Sequence, residues 1–88
     1  MTTTVKVDLV STEWTEIANG TTFPEVAILM KTIYPICFHV GTEVPAIDTE
    51  AFGTLTTYSQ GLNLPQLKSG DKLYARALNS PATIAVVK

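Results

Sequence analysis

Residues that commonly stabilise small proteins through disulfides or bound metals are nearly absent from this sequence. Among its 88 residues, Cys37 is the only cysteine and His39 is the only histidine. One cysteine excludes a disulfide within the chain, and one histidine beside it does not make a cluster of zinc ligands. A domain of this length buries only about 60–65% of the surface that its unfolded chain exposes. We therefore expect a single domain that gains buried area by self-association or by docking on a larger assembly.

Charge is also scarce. Charged residues make up 16% of the chain, against roughly 25% in typical globular domains, and the net charge is −2. A nucleic-acid-binding surface needs a clustered basic footprint. The six basic residues are scattered, and no two are adjacent: Lys6, Lys31, Lys68, Lys72, Arg76 and Lys88. We expect no nucleic-acid partner.

Long apolar runs are missing as well. The first six residues, MTTTVK, lack the charged start and the run of about 7–15 apolar residues that define a signal peptide. No stretch approaches the roughly 20 apolar residues that cross a bilayer. We expect synthesis and folding in the cytoplasm, where one unpaired thiol is stable, and no membrane insertion.

What the sequence does contain is β-forming residues. Threonine occurs fourteen times and is spread from end to end, and β-branched residues favour the pleated surface of a sheet. Apolar and polar residues alternate over 5–9 and again over 36–40, as in strands with one buried face. The pattern predicts one all-β domain over residues 1–88, an antiparallel β-sandwich or barrel of about seven to eight short strands. The predicted strands are 5–9, 14–18, 26–30, 36–40, 54–59, 73–78 and 82–87.

Several connections are predicted from turn residues. Asn19-Gly20 is the preferred pair for a type I′ hairpin turn and should close the second strand. Residues 26–30 fit a helical turn or a buried strand, and we choose strand because Pro35 disfavours helix just before it. Residues 41–53 form the longest candidate loop, and 61–67 are predicted to be irregular around Pro65.

The lone reactive side chains are given structural roles. Cys37 has no neighbouring cation or second cysteine to lower its pKa, so we expect a small buried hydrophobe. His39 lacks a nucleophile and an orienting acid, so we expect a structural or surface histidine. The predicted core consists of Val7, Leu9, Trp14, Ile17, Ile28, Phe38, Leu55, Leu73, Ala75, Ile84 and Val86.

No catalytic, cofactor-binding or metal-binding residue is predicted, and candidate residues are proposed only for an interface. Tyrosines suit such a surface because the ring is apolar and the hydroxyl is polar. Acidic residues of the long loop lack EF-hand spacing, and they fit a solvated loop or the polar rim of a docking site. The candidate interface residues are Tyr34, Tyr58, Tyr74, Arg76, Glu43, Asp48 and Glu50.

Four segments carry a resemblance to a known group of proteins. GDKLYARA at 70–77, followed by the short strand TIAVV at 83–87, resembles the C-terminal ending of many small tailed-bacteriophage virion proteins. WTEIANG at 14–20 is similar to their first hairpin, and VGTEVP at 40–45 is similar to a strand exit in the same proteins. The resemblance implies a head decoration or cement protein, or an accessory subunit of the tail.

The expected function is therefore a non-enzymatic virion structural protein that binds capsid or tail proteins and copies of itself. Exposed strand edges near 1–10 or 82–88 could join a neighbour's sheet through backbone hydrogen bonds. The alternative is a carbohydrate- or receptor-binding module of a tail or a cell-surface assembly. That function requires exposed aromatic rings converging with Asn, Asp or Glu around a groove.

Overall fold

A computed structural model of the chain describes residues 3–23, 25–32, 34–47, 49, 52–55, 61–64 and 67–88. All regular structure within these ranges is β-strand. The strands are β1 (Thr4–Leu9), β2 (Thr15–Asn19), β3 (Val26–Met30), β4 (Ile36–Gly41), β5 (Gly53–Leu55), β6 (Gly61–Leu64), β7 (Lys72–Ala77) and β8 (Ala82–Val87). The prediction of an all-β fold is confirmed, and so is the choice of strand for residues 26–30.

The strands form two four-stranded antiparallel sheets. The first sheet has the order β1-β8-β3-β6 and the second has the order β2-β7-β4-β5. Strands pair from the two ends of the chain inward, β1 with β8, β2 with β7, β3 with β6 and β4 with β5. The chain therefore runs as one long antiparallel hairpin that wraps into a sandwich. Eight strands in this order make a jelly roll.

The core lies between the sheets. On β7, Leu73, Ala75 and Ala77 point into it, and on β8 the alternate residues Ile84 and Val86 do the same. Most of the predicted core is buried, which confirms the period-2 patterns as strands with an inner face. Val7 and Phe38 are only partly buried and pack against the core from its border.

Lys88 links the two sheets at one end of the sandwich. Its backbone pairs with Thr3 beyond the end of β8. Its ammonium group crosses to the second sheet, donates to the Ile17 carbonyl oxygen at 2.8 Å, and lies 4.9 Å from the centre of the Phe23 ring. The long aliphatic stem of lysine can stay among apolar side chains while its charged end binds a carbonyl group.

The Asn19-Gly20 prediction is wrong, because β2 and β3 belong to different sheets and no hairpin joins them. The Asn19 side-chain oxygen instead accepts a hydrogen bond from the Thr22 amide at 2.9 Å, and the turn docks on residues 68–71. Gly20 donates its amide to the Asp71 carbonyl oxygen at 2.7 Å. A Cβ at Gly20 would overlap the Lys68 carbonyl oxygen, so close approach of two backbones explains this glycine.

Two further predictions are corrected. Residues 61–64 are not irregular, since they form β6 against β3. Residues 82–88 do not form a free edge, because β8 lies between β1 and β3 in the first sheet. Of the two predicted edges, only the one near 1–10 is open, in the form of β1.

Candidate functional site

The outer face of the second sheet carries an apolar cluster of its own. Trp14, Cys37 and Tyr74 are buried there, with Phe52 and Leu78 packed around them. Tyr74 alternates with the core residues of β7 and therefore points away from the main core. As its exposed fraction is only 3%, β7 is covered on both faces at this position.

Trp14 holds the connection between β4 and β5 against this face. Its indole nitrogen donates to the Ala46 carbonyl oxygen at 3.3 Å. The ring centres of Phe52 and His39 lie 6.3 and 6.1 Å from the indole, both tilted, as aromatic pairs prefer. The side chain is 8% exposed. Trp14 is therefore an anchor for the loop that covers the sheet.

Arg76 lies over the same indole, with its guanidinium carbon 5.2 Å from the ring centre. One terminal nitrogen donates to the Ser11 carbonyl oxygen at 3.0 Å and to the Ala77 carbonyl oxygen at 3.3 Å. Its Nε is buried and has no hydrogen-bond partner among the described residues. The guanidinium makes these contacts within the chain itself, so Arg76 is a packing residue rather than a free interface group.

Cys37 is fully buried beneath this layer, and its thiol donates to the Arg76 carbonyl oxygen at 3.5 Å. Burial raises the pKa of the Cys37 thiol, and the positive charge of Arg76 offsets part of that effect. A raised pKa reduces the thiolate fraction, which is the reactive form. The prediction of a structural cysteine is confirmed.

An open groove of about 330 Å³ lies where Trp14 meets the loop. Two of its aliphatic side chains are exposed to an unusual degree for their size, Val44 at 61% and Ile47 at 49%. The groove is lined by Thr12, Glu13, Trp14, Val44, Pro45 and Ile47. Apolar side chains with a polar border are the usual arrangement of a protein-binding patch. We call this set the groove.

The predicted interface residues differ in their exposure. Tyr34 and Glu43 are exposed, as expected. Tyr74 is buried, which contradicts its prediction as a surface tyrosine, because Trp14 and Phe52 pack over its side of β7. Arg76 is partly buried against Trp14. Tyr58, Asp48 and Glu50 lie outside the described residues.

Sequence reasoning missed Val44 and Ile47. The signal that could have identified them was the presence of aliphatic residues in a predicted loop, where polar residues are usual.

The sequence also left open which sheet edge is free. Among the described strands, β2 is an edge with a bulge between Glu16 and Ala18. A bulged edge strand resists pairing with another chain, whereas β1 is a regular edge of six residues.

No group of three or more His, Cys, Asp or Glu side chains comes together within the described ranges. The described part of the chain also holds no helix long and apolar enough to cross a membrane.

Fold and surface together define a small jelly-roll domain with a loop-capped outer face, an apolar groove and an open, regular edge at β1. No protein-family model, curated protein or solved structure matches this chain.

Proposed function

We propose that this chain is a non-enzymatic structural subunit of a bacteriophage virion, made in the host cytoplasm and docked as a repeated copy on the capsid or the tail. The proposal is supported by the resemblance of 70–77 and 83–87 to small virion proteins. The jelly-roll order adds an analogy, since this architecture occurs in viral capsid and lectin domains. Fold analogy alone does not assign function, which depends on the residues at the surface.

The observation that carries the proposal is the exposure of Val44 and Ile47 beside a backbone group that Trp14 binds. Trp14 donates to the Ala46 carbonyl oxygen and packs with Phe52. Val44 and Ile47 flank this hydrogen-bonded residue, so we expect binding of a partner to cost little further ordering of the segment. Thr12 and Glu13 supply polar groups at the groove, as the rim of an interface does.

Repetition would make such a small patch sufficient. A single groove of this size supplies modest affinity, but many copies on a symmetric particle raise the effective concentration of each contact. The low charge of the chain indicates that apolar contacts, rather than steering between opposite charges, would hold it in place.

A carbohydrate- or receptor-binding module is the second candidate, and the groove is the observation that favours it. Its volume of about 330 Å³ matches the lower end of small-ligand pockets, and Glu13 could accept hydrogen bonds from hydroxyl groups. Sugar stacking needs an open aromatic face, however. Arg76 covers one face of Trp14, and only 8% of the residue is exposed. This geometry favours a protein partner.

Quantitative mass spectrometry of purified virions tests the proposal. The chain should be present at a copy number that matches a symmetry class of the capsid or tail, and it should survive repeated density-gradient purification. Its absence from particles that carry all other virion proteins would overturn the proposal. Binding of the purified chain to a glycan array, with no copies in the particle, would support the second candidate instead.

A further inference from the structure

The first sheet ends in a strand whose open side is ready to pair. Thr3 and Lys88 exchange both backbone hydrogen bonds, at 2.8 and 2.9 Å. Hydrogen-bonded pairs alternate along an antiparallel ladder, so the odd-numbered residues of β1 bond to β8. The even-numbered residues Thr4, Lys6 and Asp8 therefore direct their N–H and C=O groups away from β8. No described strand lies beyond them.

Lys6 and Asp8 set which partner this edge accepts. Both side chains are exposed on the outer face, with the ammonium nitrogen 4.0 Å from a carboxylate oxygen of Asp8. The other carboxylate oxygen accepts a hydrogen bond from the Thr83 hydroxyl at 2.9 Å, which fixes the group beside the sheet. When a strand with opposite charges two residues apart pairs antiparallel with a copy of itself, each charge can lie opposite a charge of the other sign.

The geometry points to a second copy of this chain as the partner of β1, in a two-fold antiparallel pairing centred on Val7. The inference rests on the proposed function in one respect, since that proposal places many copies of the chain close together on one particle. Backbone bonds would join Lys6 of each subunit to Asp8 of the other. The two sheets would merge into one continuous sheet across an isologous interface.

Charge selects this register over its neighbours. Only the even-numbered residues have free backbone groups, so the register can shift only in steps that keep them paired. Centring the axis on Lys6 places two ammonium groups opposite each other, and centring it on Asp8 does the same with two carboxylates. Centring it on Val7 makes both cross-strand charge pairs attractive, and opposite charges stabilise such pairs whereas like charges destabilise them.

The inner face of β1 favours the same register. Val5 is exposed although it lies on the side that faces the core, because the sheet ends there. In the Val7-centred pairing, Val5 lies opposite Leu9 of the partner subunit. The two Val7 residues meet as a non-hydrogen-bonded pair, in which side chains are closest. Pairing would thus cover apolar surface that the single copy leaves open.

Charge reversal and mixing test the pairing in purified protein. Analytical ultracentrifugation at millimolar concentration, the regime that a repeating lattice creates, should show a dimer of the native chain. Lys6→Glu or Asp8→Lys should each raise the dimer dissociation constant at least about tenfold, since both charge pairs become repulsive. An equimolar mixture of the two variants should dimerise again, because each then faces the opposite charge. Lys72→Glu changes a partly exposed charge on the second sheet by the same amount and should leave association unchanged.

Cross-linking tests the register. Val7→Cys should form a disulfide between two copies, because the two residues face each other in a non-hydrogen-bonded pair. Val5→Cys, which would face Leu9 of the partner, is the matched control and should not cross-link. A native chain that stays monomeric at millimolar concentration would overturn the inference, as would a dimer insensitive to both charge reversals. The presence of the chain in purified virions is measured separately, so the proposed function can stand if this edge contact fails.

Discussion

The Arg76 guanidinium lies 5.2 Å above the Trp14 indole, and this contact joins three separate parts of the chain. Arg76 belongs to β7 and reaches the Ser11 carbonyl oxygen, while Trp14 reaches the Ala46 carbonyl oxygen in the loop after β4. Through this pair, Trp14 connects the loop after β4 to β7. Trp14 and the loop residues Val44, Pro45 and Ile47 line the groove together, so we expect the groove to depend on this connection.

Trp14→Ala should lower the free energy of unfolding by about 3–5 kcal/mol, the usual cost of removing a buried aromatic side chain. Small domains have only about 5–15 kcal/mol in total, so the variant should melt far below the native chain. Trp14→Phe keeps a ring but loses the bond to Ala46, and should fall between the two. Urea denaturation measures all three. An unchanged midpoint for Trp14→Ala would show that the indole does not support the fold.

A double-mutant cycle isolates the stacked pair. Arg76→Met retains an unbranched stem but removes the charge and the hydrogen bonds to the Ser11 and Ala77 carbonyl oxygens. If the guanidinium and indole attract each other, the effects of Arg76→Met and Trp14→Ala will not add. The coupling should be about 0.5–2 kcal/mol, the range for cation–π contacts from exposed to desolvated sites. Additivity within about 0.3 kcal/mol would contradict the contact.

Cys37 should make the fold sensitive to alkaline pH. Burial raises the pKa of its thiol above the ordinary value of 9.0. The unfolded chain therefore loses this proton at lower pH than the folded chain, and stability falls as pH rises beyond the ordinary value. Cys37→Ala lacks the group, so its unfolding free energy should fall less between about pH 8 and 10.5. This range begins near the pKa of an unfolded thiol and extends above it. Parallel slopes for the two proteins would show that the thiol titrates alike in both states.

Two glycines should respond differently to the same change. Gly20→Ala forces a methyl group against the backbone of Lys68, whose turn is held by the Asp71 amide, and should destabilise the chain by about 1–3 kcal/mol. Gly61→Ala is the matched control, since its nearest neighbour, the Ile28 carbonyl oxygen, lies 3.4 Å away. Its effect should be small or stabilising. Equal melting temperatures for the two variants would exclude the close approach.

Much of the fold follows from local pattern. The alternation in β1 and β8 is strong because each of these strands has one inner face, and the short apolar run of β3 reads as a strand once Pro35 is considered. Asn19-Gly20 misled because hairpin preference is a local signal, whereas β2 pairs with a strand more than fifty residues away. A turn preference depends on neighbouring residues only and does not indicate pairing over such a sequence separation.

The surface was harder to predict for the same reason. Tyr74 has the sequence context of a half-exposed strand residue, but it lies beneath Trp14 and Phe52, which come from distant parts of the chain. From the sequence, Arg76 has the pattern of a surface cation. In the structure it contacts the Trp14 indole and the Ser11 carbonyl oxygen, neither of which is near it in the sequence. Burial on the outer face of a sheet depends on what folds over it, and periodicity records only which side a residue faces.

The most direct measurement of the central claim is sedimentation of the purified chain with particles that lack it. The native chain should pellet with the particles, and raising salt from low to physiological strength should weaken binding only slightly, because screening acts mainly on exposed charges. Val44→Asp should weaken binding by about 2 kcal/mol or more, as for a central interface residue. Leu29→Asp is the matched control, since it alters an exposed aliphatic residue on the first sheet and should bind like the native chain. A monomeric chain that stays in the supernatant at every concentration would contradict the account.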